Sequence, residues 1–209
     1  SGSNFMKGGI NQLLPLPYWG SLLKNISKLL SIKKPSVDIA AAFEKVEWIN
    51  GAFLMVKKEA VDKAGLMDED FFLYAEEIEW CSRLNQEGSL MLYGNLHVIH
   101  LIGETITKAA NSNDSTYLNL YDRKGLQLIL SNHLRIRKQY GIFWFLFQLL
   151  NYTCAVPIYL IVGLLENILK FRSPLNDIKK AIGLAKNVCI VWSYSIIIIL
   201  NKPYFYKVL

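Results

Sequence analysis

The chain has 209 residues, of which 52% are hydrophobic and 19% charged, a balance that excludes a disordered polymer and suits one domain with an appendage. Lys and Arg outnumber Asp and Glu by 23 to 17, giving a net charge of +6, a pI near 9.1 and a mean hydropathy of +0.23. A basic chain this apolar points to an anionic membrane surface, and with no arginine-rich run and no aromatic–basic alternation the sequence predicts no nucleic-acid partner.

The first predicted element is a basic amphipathic helix over 21–34. Leu22, Ile26, Leu29 and Leu30 recur at helical spacing, with Lys24 and Lys28 one turn apart. Such a helix packs on its own domain or lies on a membrane. Residues 46–56 (VEWINGAFLMV) read as a largely buried strand in which Gly51 marks a bulge or the close approach of a ligand. A short helix over 57–64 is stopped by Gly65. A longer one spans 76–87, with acids in its first turn and Gly88 just past its end. Strands at 89–93 and 96–100 are joined at Gly94-Asn95.

From 118 to 140 the pattern is helical and turns basic at Arg135, Arg137 and Lys138. Residues 142–165 are apolar apart from Gln148, Asn151, Thr153 and tyrosines, with Pro157 inside; 188–200 form a second, shorter apolar run, with basic residues between the two. The first run is long enough to cross a ~30 Å hydrocarbon core. Its polar interruptions, the shortness of the second run and the basic flanks favour a peripheral attachment over a span. The odd number of cysteines (Cys81, Cys154, Cys189), with no CxxC pair, predicts free buried thiols in a reducing compartment.

The residues that carry chemistry cluster in 48–103. Glu76, Glu77 and Glu79 crowd one helix start; Glu79 and Arg83, four apart, suit a surface pair, whereas Glu77 shares the inward stripe of Cys81 and Leu84 and is placed to take a proton from a hydroxyl. Taken singly, a first-turn glutamate is most often a dipole-stabilising surface acid, Trp48 a core residue, and His100 a structural histidine. Their combination is more specific. Trp48, Gly51 and Ala52 are followed by Gly65, Asp68, Glu69, Phe71, Phe72, Tyr74, Glu76, Glu77 and Glu79, then Arg83 and Gly88, then His100 and Gly103. This order and spacing resemble family 2 glycosyltransferases of the rhamnosyltransferase-like and galactofuranosyltransferase-like branch. Their pattern runs W-x-x-G-A, G-x-x-D-E-x-F-F-x-Y-x-E-D-x-D, R-x-x-x-x-G and a strand ending H-x-x-G.

The resemblance implies an α/β chain: the C-terminal, acceptor-side half of an inverting GT-A fold enzyme over 46–117, preceded by a linker with the basic helix (1–45) and followed by a mostly helical, membrane-associated tail (118–209). It implies Glu77 as the base, and Trp48, Gly51, Asp68, Glu69 and Glu76 at the junction of donor and acceptor. It also implies His100 as one ligand of a divalent metal, Mg²⁺ or Mn²⁺, whose other ligands come from an absent N-terminal half. Here both aspartates of the family's E-D-x-D are glutamates, Glu77 and Glu79, each longer by one methylene. The partners implied are a nucleotide-sugar donor, a glycan or lipid-linked acceptor, the missing half and the cytoplasmic face of a membrane. The expectation is transfer of a sugar such as rhamnose in cell-surface glycan synthesis, with this stretch inactive by itself. The alternative is a non-catalytic membrane-interface protein that retains the half-fold.

Overall fold

The computed structural model describes residues 7–29, 43–96 and 119–209. A 3₁₀ helix (Lys7–Leu13) leads into α1 (Trp19–Leu29), followed by β1 (Phe43–Val46), α2 (Lys58–Ala64), α3 (Glu76–Glu87), β2 (Leu90–Tyr93), α4 (Arg123–Tyr140), α5 (Ile142–Leu169) and α6 (Leu175–Ile199). The described residues are therefore mostly helical, with one small sheet. In that sheet β1 and β2 run antiparallel, Phe43 opposite Tyr93 and Val46 opposite Leu90.

The strand expected over 46–56 is corrected by this pairing. Only its first residue belongs to a strand, and the chain from 47 to 57 is a loop. Gly51 and Asn50 form a turn in which Asn50 Oδ1 accepts from the Ala52 amide at 2.9 Å, a local bond that competes with ladder pairing. β2 uses β1 as its partner; the remainder of the expected second strand, 97–100, lies outside the described residues. The helices over 58–64 and 76–87 form where their boundary signals place them. Gly65 ends α2 with φ 78°, a left-handed conformation that costs a residue without Cβ little.

The core is organised around α4. Every residue from 124 to 136 is buried although the segment is polar, because its neighbours satisfy much of it. Gln127 Nε2 donates to the Tyr206 carbonyl at 2.9 Å and to Ser131 Oγ at 3.1 Å, and Ser131 Oγ donates to the Leu73 carbonyl at 2.6 Å. His133 Nδ1 bonds the Ile129 carbonyl at 2.8 Å, with Tyr152 and Phe145 edge-on to the ring. Burial pushes that imidazole down to about 4, so it is neutral at physiological pH. Asp122 caps the helix by accepting from the Gly125 amide at 2.9 Å. The last residues, 201–209, form a strap: Tyr206 pairs with Phe71 in a parallel bridge, and the Tyr204 amide donates to Asp70 Oδ1 at 2.9 Å. One hydrophobic cluster thus joins Phe71, Tyr74 and Ala75 to Leu130, Phe145, Leu184 and Tyr206.

α5 and α6 are long and apolar enough to cross a membrane, with about a third of each apolar stretch buried. The second apolar run belongs to a helix longer than the run itself, since Lys179, Lys180 and Lys186 interrupt the hydropathy but not the helix. The polar residues that interrupt α5 turn inward: Gln148 Nε2 donates to the Gly9 carbonyl at 2.7 Å, and the Tyr152 hydroxyl to the Gln12 carbonyl at 3.2 Å. Phe143, Leu150, Ile161 and Ile168 remain exposed. The basic residues at the end of α4 are engaged within the fold. Arg135 is fully buried, Arg137 donates to the Ile199 carbonyl at 2.9 Å, and Lys138 binds carboxylates. Of the three thiols expected to be buried, Cys81 is; Cys154 and Cys189 are exposed.

Candidate active site

The site is set by how the chain enters α3. Tyr74 and Ala75 take left-handed conformations, φ 69° and 67°, uncommon for residues with a Cβ and costing roughly 1–3 kcal/mol each. Packing holds them there, since both are buried in the core cluster. The turn makes Glu76 the first residue of α3, so that Glu76, Glu77 and Glu79 all fall in its first turn, where the helix dipole favours negative charge.

These three acids differ in their surroundings. Glu79 is 6% exposed and forms a bidentate pair with Arg83, whose Nε and Nη2 donate to its two oxygens at 2.9 and 2.8 Å. The expected surface pair is thus a partly buried one, because Arg83 also donates to the carbonyls of Ala64 and Leu66 and draws the end of α2 over α3. Glu76 is half-buried, and its Oε2 has no hydrogen-bond partner among the described residues. Burial, and then the neighbouring Glu77 carboxylate, raise its pKa above the ordinary glutamate value. Glu77 is half-exposed, on the stripe whose other members, Cys81 and Leu84, are buried.

Against this face lies the 48–51 loop. The Ile49 amide donates to Cys81 Sγ at 3.4 Å, and Asn85 Nδ2 donates to the Glu47 carbonyl at 2.7 Å. A Cβ placed on Gly51 would lie 3.7 Å from Glu77 Cβ. The structure therefore brings Gly51 and Glu77 together, with Glu76 beside them and half-buried Trp48 at the start of the same loop. Phe53, Met55 and Leu66 are exposed by 55%, 84% and 76%, apolar side chains left uncovered among the described residues.

Asp68 is placed differently. Its Oδ1 accepts from the Asp70 amide at 3.0 Å, and Lys138 Nζ bridges Asp68 and Asp70 at 2.6 Å each. Burial pulls the ammonium's pKa down, but the two carboxylates more than offset this and hold it above the ordinary lysine value. Glu69 between them is exposed. His100, the metal ligand expected from the resemblance, lies outside the described residues. Among the described residues no group of three His, Cys, Asp or Glu side chains is arranged to hold a metal ion.

Lys138 and Arg135 went unrecognised from sequence, where they read as part of a basic flank. Arg135 reaches under α3: Nη1 donates to Gln139 Oε1, and Gln139 Nε2 to the Ile78 carbonyl at 3.4 Å, while Arg135 Nε and Nη2 have no hydrogen-bond partner among the described residues. No run of residues announces this. Of the leucines in α4 only Leu128, seven residues earlier, shares the helical stripe of Arg135, beside the polar Ser131 and Asn132, so spacing gives no signal for its burial.

No family model matches the chain, and no solved structure matches it. Over 84 residues it is 32% identical to N-acetylglucosaminyl-diphospho-decaprenol L-rhamnosyltransferase from Mycobacterium tuberculosis, in both strains CDC 1551 / Oshkosh and ATCC 25618 / H37Rv. The similarity covers 37% of this chain and spans about a quarter, 27%, of the relatives' length. This partial, distant similarity supports a glycosyltransferase-like transferase and nothing finer.

Proposed function

We propose that these residues form the acceptor-side part of an inverting, GT-A fold glycosyltransferase that works at the cytoplasmic face of a membrane. The observation that carries the reading is the Glu76–Glu77 pair at the start of α3, with Glu77 against Gly51 and neither carboxylate in an ion pair among the described residues, Arg135 attracting Glu77 only from beyond ion-pair distance. The 32% identity to a rhamnosyltransferase supports it. In the proposed reaction the oxygen of an acceptor hydroxyl attacks the anomeric carbon of a nucleotide sugar. The bond from that carbon to the diphosphate oxygen breaks, the diphosphate leaves with the electron pair, and Glu77 receives the hydroxyl proton.

Burial, and then the neighbouring Glu77 carboxylate, favour the neutral form of Glu76 over its usual balance. Trp48 and Gly51 would line the junction of the two substrates, with Asp68 and Glu69 beyond it. The donor nucleotide, such as a rhamnose donor, and its divalent metal would be held mainly by an N-terminal half that covers the exposed apolar surface near Phe53 and Met55. The acceptor would be a lipid-linked or polysaccharide glycan, reached from the interface by α5 and α6. The chemistry is tested by expressing the chain fused to, or together with, a nucleotide-binding half and following label from a nucleotide sugar into membrane glycan. Transfer by these residues alone would overturn the half-enzyme reading. The attachment is tested by alkaline carbonate washing of membranes: release supports a peripheral helical layer, and retention supports a span.

A further inference from the structure

A pocket of about 530 Å³ opens between the start of α4, the middle of α6 and the C-terminal strap, and shares no lining residue with the Glu76–Glu77 site. Three cations from three separate elements line it: Arg123 of α4, Lys186 of α6 and Lys207 of the strap. All three are exposed, and none is paired with a carboxylate among the described residues; Arg123 Nη2 donates to the Val208 carbonyl at 3.3 Å, and Lys207 Nζ lies 4.8 Å from the centre of the Phe72 ring, from which it can swing to a ligand. Asp122, the one acid in the lining, is already engaged: Oδ1 accepts from the Gly125 amide at 2.9 Å and Oδ2 from Asn119 Nδ2 at 3.1 Å.

The pocket is built rather than incidental. Asn187 Nδ2 donates to the carbonyls of Leu120 and Asp122, both at 2.9 Å, and pins the loop that opens α4. A Cβ on Gly183 would meet the Tyr121 carbonyl at 2.3 Å, so only glycine lets α6 lie this close to that loop. The start of α4 is already capped, since Asp122 Oδ1 takes the Gly125 amide, so the positive charge of the pocket comes from its three side chains. The remaining wall is apolar, from Leu126, Ile190 and Tyr194, and α6 continues from it with exposed Trp192 and Ile196.

Cations from three elements lining one pocket beside an apolar wall match an amphiphile with a phosphate head. We propose that this pocket seats the phosphate headgroup of an anionic phospholipid, with Arg123, Lys186 and Lys207 around the phosphate and Ile190 and Tyr194 against the first methylenes of its acyl chains. The proposal rests on the membrane-surface part of the reading above and is independent of the glycosyltransferase part. Free phosphate would meet the same cations; the apolar wall favours the lipid.

The test is flotation of the full chain with phosphatidylcholine vesicles, with and without phosphatidylglycerol. The wild type is compared with the double variant Lys186→Gln/Lys207→Gln and with Lys57→Gln/Lys63→Gln, which removes the same charge elsewhere. The wild type should prefer the anionic vesicles. The pocket variant should lose about tenfold or more of that preference, taking each cation near an anionic surface at roughly fivefold, while the control keeps most of it. Equal loss in both variants would overturn the pocket in favour of diffuse attraction. Calorimetry with inorganic phosphate and a short-chain phosphatidylglycerol decides the source: equal affinity for the two overturns the lipid. Failure of the wild type to float on either vesicle rejects the membrane reading itself, and equal flotation of the wild type on both vesicles rejects the pocket.

Discussion

Two groups of carboxylates sit a few residues apart in one short motif and have opposite fates. Asp68 and Asp70 are claimed by a single ammonium, Lys138 Nζ at 2.6 Å from each, and Asp70 also receives the Tyr204 amide. Glu76 and Glu77 have no such cation among the described residues, and one oxygen of Glu76 is buried without a partner. The first arrangement stabilises: a half-buried charge with full hydrogen bonding ties α4 and the strap to the loop before α3. The second costs stability, through two left-handed residues and a desolvated carboxyl, and such cost is typical of sites that act on something else. The difference teaches that acids in one motif divide into those that hold the loop and those that the loop presents.

The sharpest attempt to break this comparison is Glu77→Gln in the complete enzyme. Transfer should fall by roughly 10²–10⁴-fold with thermal stability unchanged, because the amide keeps the shape and cannot take a proton; activity within tenfold of wild type would remove Glu77 from the role of base. Next is Lys138→Met, which leaves Asp68 and Asp70 facing each other half-buried. It should cost about 2–3 kcal/mol, read as a fall in Tm of several degrees, while loss of less than about 0.5 kcal/mol would mean the bridge is unimportant.

Glu76 offers a pH test. Its folded-state pKa is raised, so the folded chain holds this proton more tightly than the unfolded chain. Its contribution is therefore present below the unfolded value of about 4.3 and is lost as pH rises through the raised value. Glu76→Gln should melt about a degree or two higher than wild type at neutral pH, with the gain closing toward pH 4; a gain independent of pH would assign it to something other than titration. The smallest effect is expected at Gly51. Its added Cβ would make only an ordinary contact with Glu77, so Gly51→Ala should change stability by less than about 0.5 kcal/mol by denaturant melt. A loss above 1 kcal/mol would show the loop packed more tightly over α3 than the 3.7 Å approach indicates.

Much of the helical layout was legible because its signals are local. Gly65 and Gly88 end their helices whatever surrounds them, and the first-turn acids mark the start of α3. The strand at 46–56 was misread because apolar content was taken for burial in a sheet, whereas a turn at Asn50–Gly51 diverts that chain over α3 and exposes Met55. In the candidate site, Glu77's position on the stripe of Cys81 and Leu84 followed from helical period alone. Its closeness to Gly51 did not, since the two lie on separate elements joined by the Ile49–Cys81 and Glu47–Asn85 contacts.

By itself, then, the sequence determined where helices begin and end, which face of α3 turns inward, and that long apolar helices follow. Those properties depend on spacing and end chemistry within a few residues. Only the tertiary structure decided which charges are spent and which are open. Arg135, Arg137 and Lys138 look alike on one basic stretch, yet one is buried, one holds the end of α6 and one bridges two aspartates. A charge's role is set by the partners that distant segments bring to it, and the strap of 201–209 that reaches Asp70 and Gln127 is fixed by contacts across more than seventy residues of chain.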